Sequence, residues 1–297
     1  MSKTAFIFPG QASQFRGMGK QLFENDSDAR RLFQQADDWL GYKISEVMFV
    51  GSDEELRQTK ITQPSVFIHS VVTALTLGKE IPYDGVAGHS LGEFSALVAA
   101  RVLSFEEALR LVSIRAEAMQ HACEQNPGTM AAVVGLDDAK IEEICTLFDE
   151  DIVVAANYNC PGQLVISGSL TGIQKIESKL QAAGAKRVIV LAVGGAFHSP
   201  LMEPARKELE QAIDAIEFRP AQCPIYQNVT GCPESDPERI KSNLKTQLTS
   251  PVRWTQTMEN MIQEGFKLFY EVGGNGTVLS GFLKRIQRDI PVKSLGA

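Results

Sequence analysis

Apolar positions along this chain come in two textures that take turns: short unbroken runs, and longer stretches in which they recur every three or four residues. The first predicts buried strands and the second amphipathic helices, and their alternation marks an α/β protein. Residues 5–8 read as a short strand closed by Pro9-Gly10. Helical patterns follow, broken near Gly41 and again near Gly51-Ser52, where Ser52 with Glu55 predicts a capping box. Gln63-Pro64 opens a long, mostly apolar helix running to about Leu77, and residues 86–88 form another buried strand. Beyond it Leu91, Phe94, Leu97 and Val98 stand at helical spacing. Ser90 therefore falls where a strand turns into a helix.

Between Asn126 and Val193 the order of elements changes. Strands are predicted over 129–136, 152–158, 163–167 and 188–193, and helices over 137–148 and 170–183. This β-α-β-β-α-β order is that of a ferredoxin-like unit. It predicts a small subdomain over 127–193, inserted into a larger domain made of 1–126 plus 194–297. The larger part resumes with helices and has strands near Ile225 and Phe269.

Composition narrows the classes. The chain has 297 residues, 44% of them hydrophobic, which is enough to bury a full core. Its net charge of −7 argues against general affinity for nucleic acid or an anionic membrane. Lys284, Arg285 and Arg288 form a local basic run, read as a solvated helix face. No apolar stretch approaches the ~20 residues of a membrane span, and the run at 5–8 is too short for a signal-peptide core. The five cysteines are odd in number, scattered and without C-x-x-C spacing, so neither disulfides nor a metal site is expected. A cytoplasmic, monomeric protein with reduced thiols is the expectation.

Gly88-His89-Ser90-Leu91-Gly92 is a G-x-S-x-G sequence in a strand-to-helix setting, the context in which it forms a nucleophile elbow. The new helix aims free N–H groups at such a serine. Leu91, next in the chain, has a backbone N–H suited to an oxyanion. A serine needs a base, and the chain has four histidines. His69 and His121 lie on helical patterns without polar company. His89 adjoins Ser90 but should face away from it, supporting the elbow. His198 sits in a glycine-rich loop before Ser199-Pro200, a predicted helix start, where it can reach a neighbouring strand end. Arg115 falls on the shoulder of the apolar stripe of its helix, near Val112 and Met119. Spacing leaves two readings open: an inward guanidinium awaiting an anion, or a side chain that snorkels to solvent.

With Phe8-Pro9-Gly10-Gln11, Gly88-His89-Ser90-Leu91-Gly92-Glu93 and Arg115, the chain resembles the malonyl-CoA:acyl carrier protein transacylases of fatty acid synthesis and their polyketide acyltransferase relatives. Ala156-Asn157-Tyr158-Asn159-Cys160-Pro161-Gly162-Gln163, Ala196-Phe197-His198-Ser199, Gln247 with Pro251-Val252-Arg253-Trp254, and Glu271-Val272-Gly273 extend the likeness over nearly the whole length. The resemblance implies that the larger domain is α/β-hydrolase-like. It implies Ser90 as nucleophile, His198 as base, and the N–H groups of Gln11 and Leu91 as oxyanion hole. Arg115 would bind the malonyl carboxylate, and Phe197 and Asn159 would line the substrate site. His89 would be a supporting residue. A carbonyl near Gln247 would orient His198 in place of an acid, in keeping with the placement of Asp137, Asp138, Asp149 and Asp151 in or beside a small-domain helix. Malonyl-CoA would be the donor and the phosphopantetheine arm of acyl carrier protein the acceptor, with no permanently bound cofactor.

Phe197 beside the histidine, and Leu91 after the nucleophile, match the malonyl-type pattern. Three departures stand out: Ala12 in place of a glycine, Gly274-Asn275-Gly276 in place of Gly-Pro-Gly, and Cys160 in the Asn-x-Asn segment. A serine hydrolase or thioesterase, a free-standing polyketide acyltransferase, and a non-catalytic carrier-docking module are the competing readings.

Overall fold

The computed structural model describes residues 2–296. In chain order its strands are β1 (Lys3–Phe8), β2 (Gly85–Gly88), β3 (Gly128–Val134), β4 (Val153–Cys160), β5 (Gln163–Ser169), β6 (Arg187–Val190), β7 (Ile225–Tyr226), β8 (Pro233–Glu234), β9 (Phe266–Val272) and β10 (Val292–Leu295). They form two sheets in a mixed α/β protein. The six-stranded sheet has the order β10-β9-β1-β2-β7-β8, parallel except for β8. The four-stranded sheet has the order β4-β5-β3-β6 and is antiparallel throughout.

Both sheets are explained by their side-chain alternation. On β1, Phe6 and Phe8 join the core under the helices Thr59–Leu75 and Phe105–Gln125. Ala5 and Ile7 face the opposite core, with Trp254, Met258, Leu279 and Leu283. A parallel strand buried on both faces reads as an unbroken apolar run, which is why residues 5–8 carry no polar alternation. On β3, Ala131 and Val133 pack with Ile141, Ile173 and Leu180 of the small sheet's own helices, whereas Met130 and Ala132 point into the main core. The small sheet thus presents one face to the rest of the molecule. It is stitched there by Val252, whose N–H donates to Ala156 O at 2.8 Å and whose carbonyl accepts from Tyr158 N at 2.9 Å.

Several boundaries differ from expectation, each for a physical reason. The helix expected from Gln63-Pro64 begins at Thr59 and keeps Pro64 inside. Nearly every side chain from Thr62 to Thr73 is buried there, and that packing outweighs the hydrogen bond proline removes. The strand expected over 188–193 ends at Val190. Val193 N–H then bonds to Leu191 O at 2.9 Å, and this tight turn leads the chain off the ladder. The half-exposed β10 and the two-residue β8 have too little apolar alternation to be read from sequence. Among the described residues no helix is long and apolar enough to cross a membrane, and the five cysteines are free.

Candidate active site

The carboxyl ends of β1 and β2 converge on one cavity of about 250 Å³. In an open parallel sheet this is where ligands bind. β1 delivers Gln11 and β2 delivers Ser90, both in the cavity wall. Ser90 has φ 52°, a left-handed conformation that costs a non-glycine residue roughly 1–2 kcal/mol. The flanking glycines make the turn possible. A Cβ on Gly88 would collide with the backbone of Gly92, and one on Gly92 with the Phe8 carbonyl. Asn228 holds the bend from the side: its Oδ1 accepts from Ser90 N at 2.6 Å, and its Nδ2 donates to Gly88 O at 2.6 Å.

The Ser90 hydroxyl lies 2.8 Å from His198 Nε2. His198 Nδ1 lies 3.0 Å from Gln247 O and 3.1 Å from Ser250 O. Two carbonyls can only accept, so Nδ1 carries the proton and Nε2 presents its lone pair to Ser90. Burial, and next the positive charge of Arg115, pull the His198 pKa down to about 3. The imidazole is therefore neutral at pH 7, the form a proton acceptor needs. His198 too sits at positive φ, 58°; Ser199, whose Oγ donates to Ala196 O at 2.6 Å, fixes that loop.

Arg115 turns inward and is 1% exposed, which decides between the two readings left by spacing. Nη1 donates to Gln63 Oε1 at 2.6 Å, and Nη2 to Ser90 Oγ at 3.0 Å and Gln247 Oε1 at 3.4 Å. Nε is buried without a partner, and among the described residues the guanidinium makes no ion pair within 4.0 Å. Burial lowers its pKa to about 9, with Glu93 opposing; at neutral pH it remains a cation. It is a buried, forked cation beside a serine, with no carboxylate in contact.

The remaining expected residues surround this group. His89 is partly buried, with Nε2 2.9 Å from Asn159 Oδ1 and its ring 5.5 Å from that of Trp254. Asn159 thus reaches back to the elbow while also lining the cavity. Phe197, Met119, Met130, Val165 and Phe282 make most of the wall apolar. Among the described residues the N–H groups of Gln11 and Leu91 have no protein acceptor, and both residues line the cavity. His69 is a core residue whose Nδ1 accepts from Gly274 N at 3.0 Å. The sequence reading missed Gln63, Glu93 and Asn228.

Ala12, also in the wall, has φ 76°. Relief of about 1–2 kcal/mol of left-handed strain, less glycine's entropic cost of about 0.5–1 kcal/mol, predicts that Ala12→Gly stabilises the protein by up to ~1.5 kcal/mol. The urea midpoint measures this; a lower midpoint would mean that the Ala12 methyl contributes packing exceeding its strain.

Residues 5–294 match the family model of the acyl transferase domain. The chain belongs to that family. This acyltransferase is 44% identical over 297 residues to a malonyl CoA-acyl carrier protein transacylase of Staphylococcus aureus (strain COL), covering 99% of this chain and 96% of the relative. A solved malonyl CoA-acyl carrier protein transacylase from Coxiella burnetii superimposes with a TM-score of 0.95 at 35% identity, covering 100% of the acyltransferase and 94% of that chain. A second, solved in complex as the malonyl-transacylase of a type II PKS acyl-carrier protein, gives 0.94 at 37% identity, covering 99% and 96%.

Proposed function

We propose that this acyltransferase moves the malonyl group from malonyl-CoA to the phosphopantetheine thiol of an acyl carrier protein, supplying extender units for fatty acid synthesis. The observation that carries the substrate choice is Arg115, whose Nη2 lies 3.0 Å from Ser90 Oγ. A single methylene separates the free carboxylate of malonyl from its thioester carbon. A cation that reads this carboxylate must therefore sit beside the nucleophile, and a forked guanidinium can take both oxygens.

In the first half-reaction Ser90 Oγ attacks the thioester carbonyl while its proton passes to His198 Nε2. The oxygen of the tetrahedral intermediate gathers negative charge against the N–H groups of Gln11 and Leu91. The carbon–sulfur bond then breaks, the proton on Nε2 goes to the departing coenzyme A thiolate, and a malonyl ester remains on Ser90. In the second, His198 deprotonates the phosphopantetheine thiol, sulfur attacks the ester, and Ser90 recovers the proton. Gln247 O and Ser250 O hold the imidazole through both steps, in the place where a triad has an acid. Phe197, in the apolar wall, leaves little room for a 2-methyl substituent on the acyl group.

The site lies between what we read as a larger α/β-hydrolase-like domain, 1–126 plus 194–297, and a ferredoxin-like subdomain, 127–193. The reading is supported by the β3-helix-β4-β5-helix-β6 order and by the separate core of the smaller sheet. A polyketide carrier would meet the same geometry, and the resemblance to the type II PKS complex favours keeping it as a second acceptor.

Mixing the protein with malonyl-, acetyl- or methylmalonyl-CoA, without carrier protein, tests the proposal by intact mass. The expected result is a stable malonyl adduct mapped to Ser90 and little label from the other two. Rapid release of free malonate would instead make the protein a hydrolase.

A further inference from the structure

Glu93 lies one helical turn beyond Ser90 and is fully buried. It is the one charged residue in the helix Gly92–Ala99, and the mechanism above gives it no part. Its neighbours are unusual in being donors only. Gln227 Nε2 donates to Oε1 at 3.0 Å; Asn228 N at 2.9 Å and Gln247 Nε2 at 3.0 Å both donate to Oε2. A protonated carboxyl would need an acceptor for its own hydrogen, and among the described residues none is bonded to either oxygen. Burial pushes the Glu93 pKa upward, while the three donors and the Arg115 cation oppose it. The donor-only surroundings favour the ionised form.

Two of these donors belong to residues that set the geometry of the reacting pair. Asn228, whose N–H is held by Glu93, fixes the Ser90 backbone and the Gly88 carbonyl through its side chain. Gln247 is held at both ends of its amide. Nε2 bonds to Glu93 and also donates to Ser90 O at 3.1 Å, and Oε1 accepts from Arg115. The same residue's main-chain carbonyl takes His198 Nδ1–H. The side chain that Glu93 grips thus anchors the short 3-10 turn Gln247–Thr249 from which that carbonyl projects.

We propose that Glu93 is a positioning residue for the transfer reaction, a displaced counterpart of a triad acid. Its buried carboxylate sets His198 through Gln247 and Ser90 through Asn228, and its charge offsets Arg115 until a substrate carboxylate arrives. In a triad the acid touches the imidazole and bears on the histidine alone; here one carboxylate restrains both members of the pair from behind. The inference rests on Ser90 and His198 acting as nucleophile and base.

Glu93→Gln keeps the volume and removes the charge. Per Ser90 that can be labelled by malonyl-CoA, kcat is expected to fall about 100-fold. The KM for malonyl-CoA should stay level or fall, because Arg115 loses its internal counter-charge. A residue that only held the fold would lower the fraction of labelled Ser90 and the melting temperature while leaving kcat per labelled site intact. A kcat per labelled site within about threefold of the parent's would overturn the proposal. If Glu93→Gln does not fold, Gln247→Ala cuts the same link from the other side and keeps the carbonyl. It should show a comparable loss of kcat, and a value within about threefold of the parent sinks the proposal equally. The parent protein's own adduct is the control: no malonyl ester on Ser90 there would be a failure of the proposed function, not of the Glu93 role.

Discussion

Ser90→Ala leaves a protein that folds, binds malonyl-CoA and forms no covalent adduct. Loss of the nucleophile in a serine-based acyl transfer removes about six orders of magnitude of rate, so transfer to acyl carrier protein falls to background. Stability should change little. Alanine carries the same Cβ, and thus the same strain, at φ 52°, and Asn228 Oδ1 still accepts the backbone N–H of residue 90. What disappears is the hydroxyl between Arg115 Nη2 and His198 Nε2, and water or the substrate carboxylate can take its place. Intact mass after incubation with malonyl-CoA and the thermal midpoint measure the two halves of this expectation. A malonyl adduct persisting in the variant would assign the nucleophile elsewhere. A drop of many degrees in the midpoint would mean that the hydroxyl also carries the fold.

The elbow could be read from sequence because its letters are constraints on backbone shape. A Cβ on Gly88 would strike the other side of the turn and one on Gly92 the Phe8 carbonyl of the neighbouring strand, and the change from unbroken apolar run to helical spacing locates the turn on Ser90. The nearness of His198 was readable for a similar reason, since a glycine-rich loop ahead of a capped helix can approach a neighbouring strand end. Arg115 was undecided because the shoulder of an apolar stripe faces neither core nor solvent. Its direction is set by Gln63 and Gln247, 52 and 132 positions away. Asn228 had no legible signal at all: its Oδ1 meets Ser90 N across 138 positions, and an asparagine in a turn is ordinarily a local feature. Glu93 did leave a trace. It is a lone charge in a helix whose other side chains are small or apolar, and such a residue, once buried with that helix, needs specific partners.

Arg115→Ala should separate affinity for the acyl group from the chemistry of acylation. The guanidinium is desolvated in the parent, with Nε unpartnered and no carboxylate in contact. Its attraction for an incoming carboxylate is therefore little weakened by water. Removing one partner of such a buried charge pair costs about 2–5 kcal/mol, so acylation by malonyl-CoA is expected to slow by about 30- to 5,000-fold. Acetyl-CoA has no carboxylate and gains from the loss, because it no longer strands a buried cation. The malonyl-to-acetyl preference, measured as the ratio of kcat/KM values for Ser90 labelling, should collapse by a similar factor. Arg115→Lys should fall between the two, since an ammonium keeps the charge and loses the planar fork. An unchanged preference in Arg115→Ala would remove the carboxylate-binding role and leave Arg115 as a structural strut for Gln63 and Gln247. In that case the cavity's selectivity would have to come from the shape of its apolar wall. Substitution at Phe197, rather than at Arg115, would then move the ratio.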